Sequence, residues 1–249
     1  MSARFLVIKT GKTYDGIKER YGCFDDWMAA GLGVPRDRVD VASVFEGEDL
    51  PAHFDDYSGL VITGSPAMVT DRLPWSEALA DRLAGEIAGN PDAVPVLGIC
   101  YGHQLLAHAL GGDVAYNPRG REIGTVTITL TDAHRGDALF SAFAASATFD
   151  AHVTHLQSVI RLPPGSVHLA ASALEPHHAF RAGERVWGVQ FHPEFTEDVM
   201  RAYIDVLDER MRAEGIDADW VRNDVHAAPA SNSLLRRFAV LAASLRRRS

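Results

Sequence analysis

Val94-Pro95-Val96-Leu97-Gly98-Ile99-Cys100-Tyr101-Gly102-His103-Gln104 begins as an apolar, β-branched run, arrives at a thiol, and continues as Leu105, Leu106, Ala107, Ala109 and Leu110 up to Gly111-Gly112. The change of texture predicts a strand, a sharp turn and a helix. Gly98 and Gly102 flank Cys100 in the G-x-nucleophile-x-G pattern of a nucleophile elbow, where glycines let the backbone turn tightly enough to present the central side chain at the strand's end. A cysteine so placed lies at a helix N-terminus, whose dipole and free N–H groups favour thiolate over thiol. A merely buried cysteine needs neither glycine, so Cys100 reads as a nucleophile.

Upstream of the elbow, Phe5-Leu6-Val7-Ile8, Val39-Asp40-Val41-Ala42-Ser43-Val44 and Leu60-Val61-Ile62-Thr63 are short runs suited to strands buried in a sheet. Helical segments separate them, around Asp25 to Ala30 and across Pro74, Trp75, Leu79, Leu83 and Ile87, the latter stopped by Gly89-Asn90-Pro91. Such alternation predicts a parallel sheet covered by helices. The third strand ends in the tight turn Thr63-Gly64-Ser65-Pro66, which can present N–H groups at the carboxyl edge of the sheet, where open α/β sheets bind ligands.

Downstream, Val126, Ile128 and Leu130 alternate with threonines, as in a half-exposed strand, and residues 147–149, 158–161, 167–171 and 179–181 are similar short pieces. They predict an antiparallel ribbon added to the parallel core. The last strong strand, Val186 to Phe191, runs into His192-Pro193-Glu194, where residues two apart share a face, so a carboxylate can stand beside an imidazole. With Cys100, these two make a candidate Cys-His-Glu triad. Thr196 can cap a helix ended by Gly215, and Asn232 or Ser233 a final one whose C-terminal end suits Arg246-Arg247-Arg248. Residues 1–204 therefore read as one α/β domain, with 205–249 a helical extension packed on it.

Composition narrows the partners. A chain of 249 residues with 47% hydrophobic content suffices for one α/β domain, and a formal net charge of -9 argues against nucleic acid and anionic membranes. The two cysteines form neither a disulfide framework nor a zinc motif. Neither a signal-peptide core nor a membrane span is visible, which predicts a soluble, cytoplasmic protein that handles small molecules or proteins. Among the 11 histidines, His152 with His155, and His177-His178, have metal-like spacing but no accompanying carboxylate or cysteine, so no metal is expected. His103 reads as packing and Cys23 as inert.

The elbow, the Gly-Ser-Pro turn and Gln190-Phe191-His192-Pro193-Glu194 together resemble the class I glutamine amidotransferases, most closely the amidotransferase domain of GMP synthase and its stand-alone relatives, from Phe5 to Glu194. This resemblance implies a flavodoxin-like three-layer αβα sandwich. It implies that Cys100 attacks a glutamine side-chain amide and that His192, oriented by Glu194, moves the protons. Backbone N–H groups of Tyr101 and of the Gly64-Ser65 turn would form the oxyanion hole, and Gln104 and His155 would help bind substrate, with no cofactor.

Two departures stand out. The GMP synthase type has Ser-Gly-Gly-Pro in place of Thr63-Gly64-Ser65-Pro66, and Ser-His-Gly-Asp in place of Thr154-His155-Leu156-Gln157. Arg121-Glu122 sits near the family's Asn-Arg-Glu segment. Neither a phosphate-binding GxxxxGK[ST] loop nor an ATP-pyrophosphatase signature occurs, so released ammonia would pass to water or to a separate synthase subunit. Hydrolysis of γ-glutamyl peptides is the alternative, favoured by Leu156-Gln157. A non-catalytic binding module is a third reading, against which the intact Cys100, His192 and Glu194 weigh.

Overall fold

The computed structural model describes residues 3–90, 92–143 and 146–246; Pro91 of the expected helix stop, and Arg247 and Arg248 of the arginine run, lie outside them. The first half supplies β1 (Phe5–Lys9), α1 (Asp15–Tyr21), α2 (Phe24–Leu32), β2 (Val39–Ser43), β3 (Gly59–Ile62), α3 (Pro74–Ile87), β4 (Val96–Ile99) and α4 (Tyr101–Ala109). Next come β5 (Asp113–Tyr116), β6 (Glu122–Leu130), β7 (Thr148–His155), β8 (Gln157–Arg161), β9 (Val167–Ala171), β10 (Ala179–Ala182) and β11 (Val186–Val189). Last are α5 (Glu197–Ala213), α6 (Ala218–Asp224), α7 (Pro229–Asn232) and α8 (Leu234–Arg246).

Strands β2, β1, β3, β4 and β11 lie side by side in that order and run parallel. Period-two alternation splits each between two buried faces. Phe5 and Val7 of β1 join Val61, Leu97, Ile99 and Trp187 on one face, under α2 and α8. Leu6 and Ile8 join Ile62 and Val96 on the other, under α3 and α4. The result is the three-layer αβα sandwich that the sequence implies.

The antiparallel part differs in detail from a simple added ribbon. At β11 the sheet changes sense: β10 folds back through the Gly183 turn, and β9, β6 and β7 follow, so these four strands continue the central sheet to nine. Among the described residues a separate two-stranded ribbon is made by β5 and β8, which pair across 40 residues of sequence and could not be matched by pattern alone.

Helix α5 begins as expected, Thr196 Oγ1 accepting from Val199 N at 3.3 Å. Helix α8 does not. Asn232 and Ser233 lie within a helical stretch continuing from α7, and the Asn232 amide donates instead to Pro193 O and Phe195 O, both at 2.8 Å. Leu234, Leu235 and Phe238 of α8 are fully buried. Gly31 in α2 and Gly59 in β3 make room for them: a Cβ there would meet Leu235 Cδ1 at 2.5 Å and Phe238 Cε1 at 3.2 Å. Among the described residues no helix is long and apolar enough to cross a membrane.

Candidate active site

The parallel strands deliver their carboxyl ends to one edge of the sheet, so Cys100 and His192 follow β4 and β11 into one cleft, while Thr10 and Thr63, which follow β1 and β3, are buried at the same edge. Cys100 sits at φ 51° and ψ -100°, one of two non-glycine residues with positive φ among those described. Such a conformation costs on the order of 1–3 kcal/mol and persists only where its surroundings impose it. Here the glycines do. A Cβ on Gly98 would lie 2.4 Å from Gly102 O, and one on Gly102 would lie 2.5 Å from Ile62 O, so neither position tolerates a side chain. Cys100 N donates to Val189 O at 2.8 Å, which ties the elbow to the strand that delivers His192.

His192 is held from three sides. Its backbone N donates to His152 O at 2.8 Å, its Nδ1–H donates to Glu194 Oε1 at 2.7 Å, and its ring stacks on Phe195 with centroids 4.1 Å apart. Burial alone would drive the proton off this imidazole, but the Glu194 carboxylate and the Cys100 sulfur outweigh it and push the pKa up to about 10. The remaining nitrogen, Nε2, is buried with no partner in hydrogen-bond geometry. A buried imidazolium next to a thiol, with one donor uncommitted, can give a proton to a leaving group and later take one from water.

The turn after β3 is fixed by hydroxyls that the sequence reading passed over. Thr10 Oγ1 donates at 2.9 Å to Thr63 O and lies 3.1 Å from Gly64 O, to which Thr63 Oγ1 also donates at 2.9 Å. Because a trans peptide points its N–H opposite to its C=O, Ser65 N–H is turned away from Thr10. Ser65 is not among the positive-φ residues, so serine replaces the family's glycine without backbone strain. Its side chain fits because position 11 is glycine: a Cβ there would approach Ser65 Oγ to 2.6 Å. Gly64 lets the turn approach the imidazole, since a Cβ would stand 3.1 Å from His192 Cε1. Tyr101 opens α4, and its N–H is one of the first-turn donors that a helix leaves without an internal acceptor.

Across the cleft stands a buried polar wall. Gln104 Nε2 donates to Gln157 O and to Gln190 Oε1, both at 2.9 Å, so what Gln104 can still offer is its carbonyl oxygen, an acceptor. His155 lines the cleft, yet both its nitrogens are engaged, Nδ1 with Gln157 O at 3.0 Å and Nε2 with Glu122 Oε2 at 3.0 Å. His178 Nε2 reaches the same Glu122 oxygen at 2.8 Å. The carboxylate missing from the histidine pairs in sequence is thus supplied by Glu122 from β6. These three residues are also the set whose metal-ligating atoms lie within 4.8 Å of one another; direct hydrogen bonds join Glu122 to both imidazoles, while His178 Nδ1 is buried without a partner. Burial would raise the Glu122 carboxyl, and the hydrogen bonds from His155 and His178 override it, holding it well below the usual range. His103 is fully buried against Phe180, and burial drives it towards the neutral form. Cys23 is buried at the start of α2, 2% exposed.

The cleft has a volume of about 400 Å³ and is lined by Cys100, His192 and Gln104, by the 154–157 segment, and by Lys12, Tyr14, Tyr203 and Arg210 nearer the rim.

The family description "Glutamine amidotransferase class-I" matches residues 30–207. A GMP synthase of Porphyromonas gingivalis is 36% identical over 61% of this chain and 28% of its own length. Gamma-glutamyl peptidase 3 of Arabidopsis thaliana is 24% identical over 94% of both chains. Alignment with a further relative, from Saccharomyces cerevisiae, spans 56% of that protein's length. Among solved structures, a glutamine amidotransferase from Thermotoga maritima superposes with a TM-score of 0.69 at 20% identity, covering 100% of this chain and 98% of the other.

Proposed function

Since the chain belongs to the class I glutamine amidotransferase family, we propose that it hydrolyses a γ-glutamyl amide bond, that of glutamine first, through a thioester on Cys100. The Cys100 thiolate attacks the side-chain carbonyl carbon and the oxygen takes the charge, held by Tyr101 N–H and Ser65 N–H; preset donors of this kind are worth about 3 kcal/mol each. The C–N bond then breaks as His192 gives its proton to the departing nitrogen. Neutral His192 next takes a proton from water, which attacks the thioester, and Cys100 leaves as thiolate with glutamate as product. Glu194 keeps the imidazole in the orientation and charge state this needs. The Gln104 carbonyl is suited to the substrate ammonium, while His155 positions the 154–157 segment from behind.

The observation that carries this reading is the convergence of Cys100, His192 and Glu194 at the carboxyl edge of the sheet. In this scheme residues 1–204 carry the chemistry and 205–249 form a helical extension of the same unit; the Asn232 contacts to Pro193 and Phe195 support its packing there, and α5 runs across the boundary without a break. Ammonia would go to water or to a separate synthase subunit, as the similarity to GMP synthase suggests. The test is ammonia and glutamate release from L-glutamine by the purified chain, with Cys100→Ala as the blank. Turnover that survives the substitution rules out the thiol mechanism.

A second reading, hydrolysis of γ-glutamyl peptides, is favoured by the size of the cleft. Glutamine has ten non-hydrogen atoms and, at somewhat less than a water's share of about 30 Å³ each, fills roughly 200 Å³. That is about half of the 400 Å³ present. The end-to-end match with gamma-glutamyl peptidase 3 points the same way.

A further inference from the structure

The proposed reaction dictates where a leaving group must lie. Its nitrogen takes a proton from His192, so the amine departs on the His192 side of the cleft. A continuous strip leads outward there. The His192 ring stacks on Phe195, and Phe195 on Tyr203 with centroids 4.9 Å apart. Tyr14 meets Tyr203 edge-on at 5.7 Å, and the hydroxyls of Thr13 and Tyr203 lie 2.7 Å apart. Tyr203, Leu207 and Arg210 recur at helical spacing along one face of α5, and all three line the cleft.

The strip is therefore aromatic and apolar near the imidazole and cationic at the rim, where Lys12 stands on the β1–α1 loop and Arg210 on α5. Both are exposed and make no ion pair within 4.0 Å among the described residues, although the Glu214 carboxylate lies near enough to Arg210 to feel its charge. Arg121, the third cation on the cleft, is by contrast held by Glu214 through two hydrogen bonds of 2.8 and 2.9 Å. Ammonia has no use for such a strip. An amine bearing a carboxylate beside the nitrogen and a side chain beyond it would use all of it. Asp15, also on this rim, favours one carboxylate over a polyanion.

We propose that this strip is a leaving-group subsite for the C-terminal portion of γ-glutamyl peptides, with Lys12 and Arg210 holding the free carboxylate and Tyr14, Tyr203 and Leu207 contacting the side chain. The assignment rests on the γ-glutamyl peptide reading above. The chemistry is unchanged: the isopeptide C–N bond breaks, His192 protonates the nitrogen, an amino acid departs, and water releases glutamate from Cys100.

The experiment is steady-state hydrolysis of γ-glutamyl-leucine, its C-terminal amide and L-glutamine by the full chain and by Lys12→Ala and Arg210→Ala, with thermal melting as the folding control. Charge-assisted contacts of this kind predict that the chain prefers the free acid over the amide by about tenfold, and that each substitution lowers the kcat/KM ratio of free acid to glutamine by about fivefold or more. Equal rates on acid and amide would overturn the subsite while leaving the peptidase reading standing. Turnover of glutamine alone would overturn both. If none of the three is turned over, protection of Cys100 from iodoacetamide decides: protection by γ-glutamyl-leucine that is weakened in Lys12→Ala supports the subsite, and no protection overturns it.

Discussion

Replacing Glu194 by Gln isolates the charge in the His192 pair, because the amide oxygen still accepts from Nδ1 while the negative charge is gone. The pair is buried, with side-chain exposures of 2% and 0%, so water cannot make up the loss. Burial on one side, and the Glu194 carboxylate with the Cys100 sulfur on the other, balance at a pKa of about 10, against 6.5 for a free imidazole. At 1.36 kcal/mol per pH unit, that gap is worth roughly 5 kcal/mol of preference for the imidazolium. Without the Glu194 charge, burial gains the upper hand and the imidazole loses its proton near or below neutrality. In the proposed mechanism protonated His192 expels the amine, so activity is lost as pH rises through its pKa, while the acid limb belongs to the nucleophile. In the wild type this alkaline limb is expected near pH 10. In Glu194→Gln it moves down by several pH units towards neutrality; a limb at about pH 7 leaves about one imidazole in ten protonated at pH 8, so kcat/KM there falls by about tenfold. The assay is kcat/KM for the preferred amide from pH 5 to 11, with near-ultraviolet circular dichroism to confirm the fold. An alkaline limb that moves by less than about one pH unit would refute the assigned role of the carboxylate.

Iodoacetamide at neutral pH is expected to label Cys100 ahead of Cys23, as peptide mapping would show, because both cysteines stand at helix N-termini but only Cys100 opens onto the cleft, whereas Cys23 is buried in a hydrophobic cluster. Thr10→Val keeps shape but removes the hydroxyl that fixes Gly64 O; kcat should fall about tenfold with KM little changed, and a drop in melting temperature without loss of kcat would mark Thr10 as structural only. Glu122→Gln leaves two buried histidines facing a neutral amide and should cost about 3–5 kcal/mol at pH 7 in urea unfolding. The folded Glu122 carboxyl lies below its unfolded value, so its stabilisation is present above about pH 4.5 and fades as pH falls; the gap between wild type and variant should narrow from pH 7 to pH 3. A gap independent of pH would mean that the carboxylate charge is not what stabilises the cluster.

The elbow could be read from sequence because its requirement is steric and local: Gly98 and Gly102 are needed by the backbone whatever packs around them. His192 and Glu194 do stand side by side as their spacing suggests, but for another reason: β11 ends at Val189, and the two residues lie in a turn rather than in an extended segment, where the imidazole and carboxylate meet at 2.7 Å. What remained hidden depends on pairing at a distance. Glu122 and His155 are cross-strand partners in the β6–β7 register, and His178 joins them from the approach to β10. No periodicity within any of these segments announces that the three will meet. The antiparallel strands posed the same difficulty: their composition marks them as strands, but continuity with the central sheet is settled by which edges remain unpaired after β11 is in place. Thr10 and Thr63 stayed invisible because threonine at a strand end is ordinary; their role appears only once two strand ends stand side by side.

The helical extension bears on the chemistry through one such long-range contact. His192 and Glu194 occupy a short turn after β11, and a turn of that length has little to hold its carbonyls once the strand has ended. Asn232 supplies the missing donors, reaching Pro193 O and Phe195 O from the end of α7. That amide is fixed in turn by α8, whose Leu235 and Phe238 fill the space left by Gly31 and Gly59 against the central sheet. A residue that sequence offers as a helix cap is thus used as a clamp on the segment bearing the imidazole, and a helix that looks peripheral helps to set the position of His192. The side chains at the site are supplied by strand ends, but the precision with which they are held comes from packing on the opposite side of the sheet.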